Sequence, residues 1–141
     1  FFFIISFMRS TFLLSSALLG VMAQRLVRKV CGACAQPAAL GPEQVAALGA
    51  PIPLLPGGPR FCQGAGCVKC RGTGYRGRTA VFEIFSATPE IKQLIGRKAD
   101  PGELLASARR QGLRTLREAA VSKLAEGETT FEEVLRMTTA S

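Results

Sequence analysis

Four cysteines stand in two pairs, Cys31-Gly-Ala-Cys34 and Cys67-Val-Lys-Cys70. Two residues separate the members of each pair, so a tight turn aims both sulfurs at one point. Two such turns supply four thiolates, the closed tetrahedral set of a structural zinc site. Glycines crowd the second pair (Gly64, Gly66, Gly72, Gly74 and Gly77) and let the backbone bend sharply near an ion. The pattern therefore reads as one structural Zn²⁺ held by Cys31, Cys34, Cys67 and Cys70. The 32 residues between the pairs exceed the spacing of short zinc modules and are rich in Pro and Gly around Pro51 to Pro59, so they read as an inserted loop.

Other chemistries use the same residues. A single CxxC can be a redox dithiol, although no βαβ pattern surrounds either pair. Disulfide-linked loops would require an oxidising compartment, and five cysteines leave one thiol over. Cys67 to Gly74 also fits the CxxCxGxG repeat of J-domain co-chaperones, but it occurs here once, and the first pair lacks the glycines. Cys62 has no partner at ligand spacing and reads as a small buried apolar residue.

The chain contains no histidine. His-based general bases, His-containing triads and His metal ligands are thereby excluded. Eighteen Lys and Arg against ten Asp and Glu give a net charge of +8. Arg109, Arg110, Arg114, Arg117 and Lys123 could line a nucleic-acid surface in a small zinc-bearing binding module. No aromatic residues interleave with them to stack bases, so they read as a solvated face.

Residues 1–21 are almost wholly apolar. As a membrane span they suffer from Arg9, which costs about 2.5–3.5 kcal/mol near a span's centre. Read from Met8 they resemble a signal peptide cleaved near Ala23, which would make the chain an exported, disulfide-linked adaptor. A third reading is preferred. Leu18, Met22, Leu26 and Val30 recur at four-residue steps and predict the buried face of a helix running into Cys31.

Pro42 to Leu48 predicts a short helix with proline at its first position. Arg78 to Phe85 is β-branched and aromatic and predicts a strand. Thr88-Pro89-Glu90 and Asp100-Pro101-Gly102-Glu103 are helix starts, and Gly112 is a stop. Leu113, Leu116, Ala120 and Leu124 share one face of a third helix ending at Gly127. Thr130 and Glu133 form a capping box before a fourth.

In order, these segments carry a family resemblance. Ala23-Gln-Arg-Leu-Val-Arg28 leads into the first pair. Gly66-Cys-x-x-Cys70-x-Gly-Thr-Gly-Tyr-Arg-Gly-Arg78-Thr follows the loop, then the strand Val81-Phe-Glu-Ile84. Gly112-Leu-Arg and Glu126-Gly127-x-Thr-Thr-x-Glu-Glu-Val-Leu-Arg136 close the pattern. From about Phe12 to Thr138 the chain resembles the C-terminal end of the type II (general secretory pathway) secretion ATPases, close to the type IV pilus assembly ATPases.

The resemblance implies a cytoplasmic homo-hexamer peripheral to the bacterial inner membrane. Such a hexamer works on a membrane platform protein, held by a cytoplasmic-domain anchor of the secretion apparatus, and powers protein secretion or pilus-like fibre assembly. It implies zinc at Cys31, Cys34, Cys67 and Cys70, beside a RecA-like core that binds ATP and Mg²⁺. No G-x-x-x-x-G-K-[ST] phosphate loop occurs in this sequence, and the family's acidic and His boxes lie upstream of the matched region. The chain alone is therefore expected to be catalytically inactive, without catalytic or nucleotide-binding residues.

The expected fold is mostly α, with a small tetracysteine zinc module and one or two short strands, as a C-terminal fragment of a RecA-like α/β ATPase domain. Residues 1–11 form an unmatched apolar N-terminus, and 12–30 the terminal helix of the ATPase core. Residues 31–78 form the zinc subdomain with its inserted loop, and 79–141 a strand and helical bundle.

Overall fold

A computed structural model describes residues 15–139. The expected N-terminal segment 1–11, and the first residues of the 12–30 helix, lie outside that range. Four strands and five helices of six residues or more follow one another among the described residues. These are β1 (Gly20–Val30), β2 (Ala35–Pro37), α1 (Pro42–Ala47), β3 (Cys62–Gly64), β4 (Tyr75–Ser86), α2 (Pro89–Gly96), α3 (Pro101–Arg110), α4 (Leu116–Ala125) and α5 (Phe131–Thr139). A helical turn at 15–17 precedes β1. β1 pairs with β4, and β2 with β3, in two separate two-stranded sheets. No helix among the described residues is long and apolar enough to cross a membrane.

The expected helix over 12–30 is a strand from Gly20 onward. A spacing of four is a multiple of two, so Met22, Leu26 and Val30 share a face of a strand as well as of a helix. It is the wrong face. Met22 and Leu26 are 61% and 49% exposed, while Val27, on the opposite side, is wholly buried. β4 alternates in the same way, with Val81 and Phe85 buried and Phe82 and Ile84 exposed. The expected strand at 78–85 is present and longer, and the strands are neither so few nor so short as the sequence suggested.

The chain divides into two compact units. One contains the described residues up to Ala23 together with Ile84–Arg114. Here the Ala87 N–H donates to Leu19 O at 3.0 Å. Phe85, Ile91, Leu94, Ile95, Leu104, Ala108 and Leu113 form the core, joined by Leu18 and Val21. Both predicted helix starts hold: Thr88 Oγ1 accepts from the Ile91 N–H at 3.4 Å, and Asp100 Oδ1 from the Gly102 N–H at 2.7 Å. On α2 the Glu90 carboxylate accepts from the Ser107 hydroxyl at 2.7 Å, Arg110 Nη2 at 2.9 Å and Gln111 Nε2 at 3.1 Å. Those bonds, Ser107 foremost and Arg110 next, hold its carboxyl below the usual value of 4.5 against the pull of desolvation.

The other unit contains Gln24–Glu83 and the residues from Thr115 onward. Its core joins Val27 of β1, Val81 of β4, Ala120, Val121 and Leu124 of α4, Val134 and Met137 of α5, and Leu48. Leu48 comes from the segment expected to be an inserted loop, and Leu40, Ala50, Ile52 and Phe61 pack beside it. That segment is thus part of the core, apart from outlying residues such as the fully exposed Leu54. α4 starts at a reciprocal cap, with Thr115 Oγ1 accepting from the Glu118 N–H and Glu118 Oε2 from the Thr115 N–H.

At α5 only half of the expected capping box forms. Thr130 Oγ1 accepts from the Glu133 N–H at 3.3 Å. The Glu133 carboxylate, completely buried, pairs instead with Arg28 and Arg136. Arg28 also lies 4.1 Å above the Tyr75 ring, and the Tyr75 hydroxyl bonds Thr130 Oγ1 at 2.7 Å.

β2 and β3 run antiparallel, with Ala35 opposite Gly64 and Pro37 opposite Cys62. Gly64 lies hard against Gly74: a Cβ there would sit 2.0 Å from the Gly74 carbonyl oxygen.

Three outcomes are expected. Ile91→Ala should cost about 2–5 kcal/mol, read as a lower denaturant midpoint, because it empties a fully buried site. Gly64→Ala should destabilise the chain by about 1–3 kcal/mol by driving Gly74 away, measured in the same way. Glu90, with its folded pKa depressed, adds stability above its ordinary value of 4.5 that disappears as pH falls through the folded value. Glu90→Gln should therefore flatten the acid limb of a stability-against-pH curve.

Candidate metal centre

Cys31 directly follows β1, and its N–H donates to Gly74 O at 2.9 Å. The Cys34 N–H then donates to Cys31 O at 3.0 Å and closes a tight turn. In the second pair, Cys67 precedes a single 3-10 turn, Val68–Cys70. The Cys70 and Gly72 N–H groups both donate to Cys67 O, at 3.2 and 2.9 Å. Arg71 leaves this turn with a left-handed φ of 53°. The β2–β3 ladder brings the two turns face to face, and the Ala65 N–H donates to Cys34 O at 3.0 Å.

The four sulfurs predicted as ligands are thereby brought together. Cys31, Cys34, Cys67 and Cys70 all have Sγ within 4.8 Å of one another. Cys31 and Cys67 are 3.9 Å apart, Cys34 and Cys70 3.8 Å, and Cys67 and Cys70 3.7 Å. A disulfide requires about 2.05 Å, and all five cysteines are free. Disulfide-linked loops are therefore not what this geometry contains. Cys31 and Cys70 are buried, and the other two sit half-buried. Such a cluster can hold one metal ion.

Backbone donors serve the cluster as well. The Cys67 and Gly74 N–H groups point at Cys70 Sγ, at 3.1 and 3.3 Å. Burial alone would push the Cys70 thiol up, but these two N–H groups and the Cys67 and Cys34 thiols bring it down to about 6. Burial pushes Cys34 up to about 12, opposed by a backbone bond from Gly66 and reinforced by the thiols of Cys70, Cys67 and Cys31. The surroundings thus favour the thiolate at Cys70 and the thiol at Cys34.

Cys62 stands apart. It is half-buried, with Sγ 3.7 Å from Arg60 O. A Cβ at Gly127 would meet that sulfur at 3.2 Å, so Cys62 packs against the turn after α4. Of the basic residues weighed as a surface, Arg110 pairs with Glu90, Lys123 with Glu126 and Glu128, and Arg117 donates to Leu48 O. The N–H donors to Cys70 and the Arg28–Glu133–Arg136 cluster were not predicted. The glycines after Cys70 hinted at the first. The second joins residues about a hundred positions apart and has no local signal.

The family described as Type II/IV secretion system protein matches residues 5–136. The match starts within the 1–11 segment that was expected to fall outside it. Among similar proteins, the type IV pilus assembly ATPase PilB of Thermus thermophilus is 42% identical over 127 residues, covering 90% of this chain. Type II secretion system protein E of Pseudomonas aeruginosa is 41% identical over 127 residues, again covering 90%. The protein transport protein HofB homolog of Escherichia coli is 42% identical over 125 residues, covering 89%. The chain spans only 14%, 24% and 26% of the lengths of these three proteins, in that order. With the ordered motifs and the four-cysteine cluster, this match shows that the chain belongs to the type II/IV secretion system protein family.

Proposed function

We propose that the chain supplies the zinc-binding C-terminal portion of a secretion or pilus-type ATPase, a segment of a RecA-like domain stapled by one structural Zn²⁺ on Cys31, Cys34, Cys67 and Cys70. One observation carries this reading. Zn–S bonds of about 2.3 Å in a regular tetrahedron place sulfurs about 3.8 Å apart. The three closest recorded pairs lie at 3.9, 3.8 and 3.7 Å. Four thiolates complete the coordination sphere and leave no position for water or substrate, which favours a structural role. The N–H groups on Cys70 Sγ would orient that ligand and spread its charge.

The larger activity belongs to the longer proteins that the chain resembles. In that setting the portion would sit in a cytoplasmic homo-hexamer peripheral to the bacterial inner membrane. ATP hydrolysis elsewhere in each subunit would be turned into movement of a membrane platform protein, with an anchor of the secretion apparatus holding the hexamer in place. The chain's own sequence contains no phosphate loop, so its part in that cycle is mechanical and architectural.

Metal analysis of the purified chain should find about one zinc per chain and no ATP hydrolysis. Cys31→Ser or Cys70→Ser should remove most of the zinc. A chelator should lower Tm by about 10 °C or more, since structural zinc supplies folding free energy. A chain that is zinc-free and equally stable with or without chelator would sink the proposal.

A further inference from the structure

The last residues of β4 form a sheet edge. The sheet has two strands, and β1 lies on one side of β4. The Ala87 N–H donates to Leu19 O at 3.0 Å, and a Cβ on Gly20 would sit 2.8 Å from Phe85 O. Phe85 and Ala87 therefore turn backbone groups toward β1. Successive residues of a strand direct those groups to opposite edges. Ile84 and Ser86 thus direct theirs to the outer edge, where no further strand pairs among the described residues. Such an edge is a template for another chain, and native proteins blunt it with charge or proline. Ile84-Phe85-Ser86 contains neither.

A cavity of about 290 Å³ adjoins this edge. Ile84, Phe85 and Ser86 form one wall, and Ala108, Gln111 and Leu113, where α3 ends, form the other. All six belong to the unit that holds Ile84–Arg114. Phe85, Ala108 and Leu113 are core residues, so the apolar walls are fixed. Gln111 is fixed as well. Its Oε1 accepts from the Thr88 hydroxyl at 2.8 Å, and its Nε2 donates to Glu90 Oε2 and to Ser107 Oγ, both at 3.1 Å. A pre-formed space lowers the ordering cost of binding. Ile84 is 58% exposed and offers an apolar side chain to a strand laid beside it.

Charge narrows the occupant further. Residues 84–114 carry six Lys and Arg against three Asp and Glu, a surplus of three whatever pairs form among them. Arg109, Arg110 and Arg114 bracket the Gln111–Leu113 wall along the chain. A basic surround attracts an acidic segment and repels a basic one.

We propose that the outer edge of β4 at Ile84–Ser86 docks an extended acidic segment of a partner protein, which adds as a strand and places one large apolar side chain in the cavity. Main-chain bonds from Ile84 and Ser86 hold the segment, and the cavity reads its side chain. The inference rests on neither the metal centre nor the ATPase reading.

The test uses the full chain and fluorescein-labelled peptides Glu-Val-Thr-Xaa-Thr-Val-Glu, followed by anisotropy. Leu or Phe at Xaa should saturate at one per chain, and Ala or Lys there should bind about tenfold or more weaker. Gln in place of both Glu residues should also weaken binding at low salt. N-methylation of alternate peptide amides separates strand addition from mere charge attraction: one alternate set should abolish binding and the other should not. Ser86→Pro removes an outward N–H at a sheet edge, where proline is tolerated, and should weaken binding by about tenfold or more. Leu105→Ala, on α3 outside the cavity, should leave it unchanged. Hydrogen exchange on the unaltered chain needs no variant: the Leu peptide should slow the Ile84 and Ser86 amides. No saturation by any of these peptides, equal tolerance of both methylated sets, or protection confined to other residues would overturn the site. Sedimentation showing a dimer that Ser86→Pro dissolves and the peptides do not would also overturn it, by making a second copy of the chain the occupant.

Discussion

Four sulfurs within 4.8 Å of one another cannot all carry charge unless a cation stands between them. That constraint governs the local fold. Two turns must meet face to face, and the backbone must pass close enough for Gly64 and Gly74 to touch. The β2–β3 ladder, three residues on each side, is too short to be stable in isolation. It is joined by the Ala65 N–H bond to Cys34 O and by the close packing of the four sulfurs. The split between a thiol pushed up to about 12 and another brought down to about 6 records the same conflict before any ion enters.

Beyond the sulfurs, a second polar knot fastens the end of the chain to its beginning. Glu133 on α5 is buried and ties Arg28 of β1 to Arg136. The Thr129 hydroxyl donates to Arg28 O at 2.8 Å, and the Val30 N–H donates to Glu128 O at 2.9 Å. A buried carboxylate is costly unless charge partners and hydrogen bonds reach it, and here both do. The strand that delivers Cys31 is thus set by residues a hundred positions later.

Local signals were legible wherever the deciding physics was local. Thr88 and Asp100 cap helices because their oxygens reach N–H groups two or three residues on. The meeting of the four sulfurs was legible because CxxC spacing is itself a turn geometry. β1 was not, since steps of four residues fit both periods and the choice was made by a partner strand some fifty residues away. Leu48 was hidden because a Pro- and Gly-rich neighbourhood reads as surface, yet one leucine in it completes a core built by four other elements. Glu133 looked like a cap because its spacing from Thr130 is right; distant Arg28 and Arg136, one turn on, outcompeted the backbone N–H it was expected to reach.

The segment between the cysteine pairs now has two kinds of residue, and they differ in how freely their number can change. Closing a longer loop is cheap, about 0.6 kcal/mol for each doubling of length. Residues before Ile52 are tethered by Leu48 and Ala50 in the core, and Phe61 is anchored again before Cys62. Between those anchors the chain runs through the fully exposed Leu54 and the left-handed Gly57 and Gly58. That short arc is where an evolving lineage can lengthen, shorten or redecorate the module while both cysteine turns keep their places.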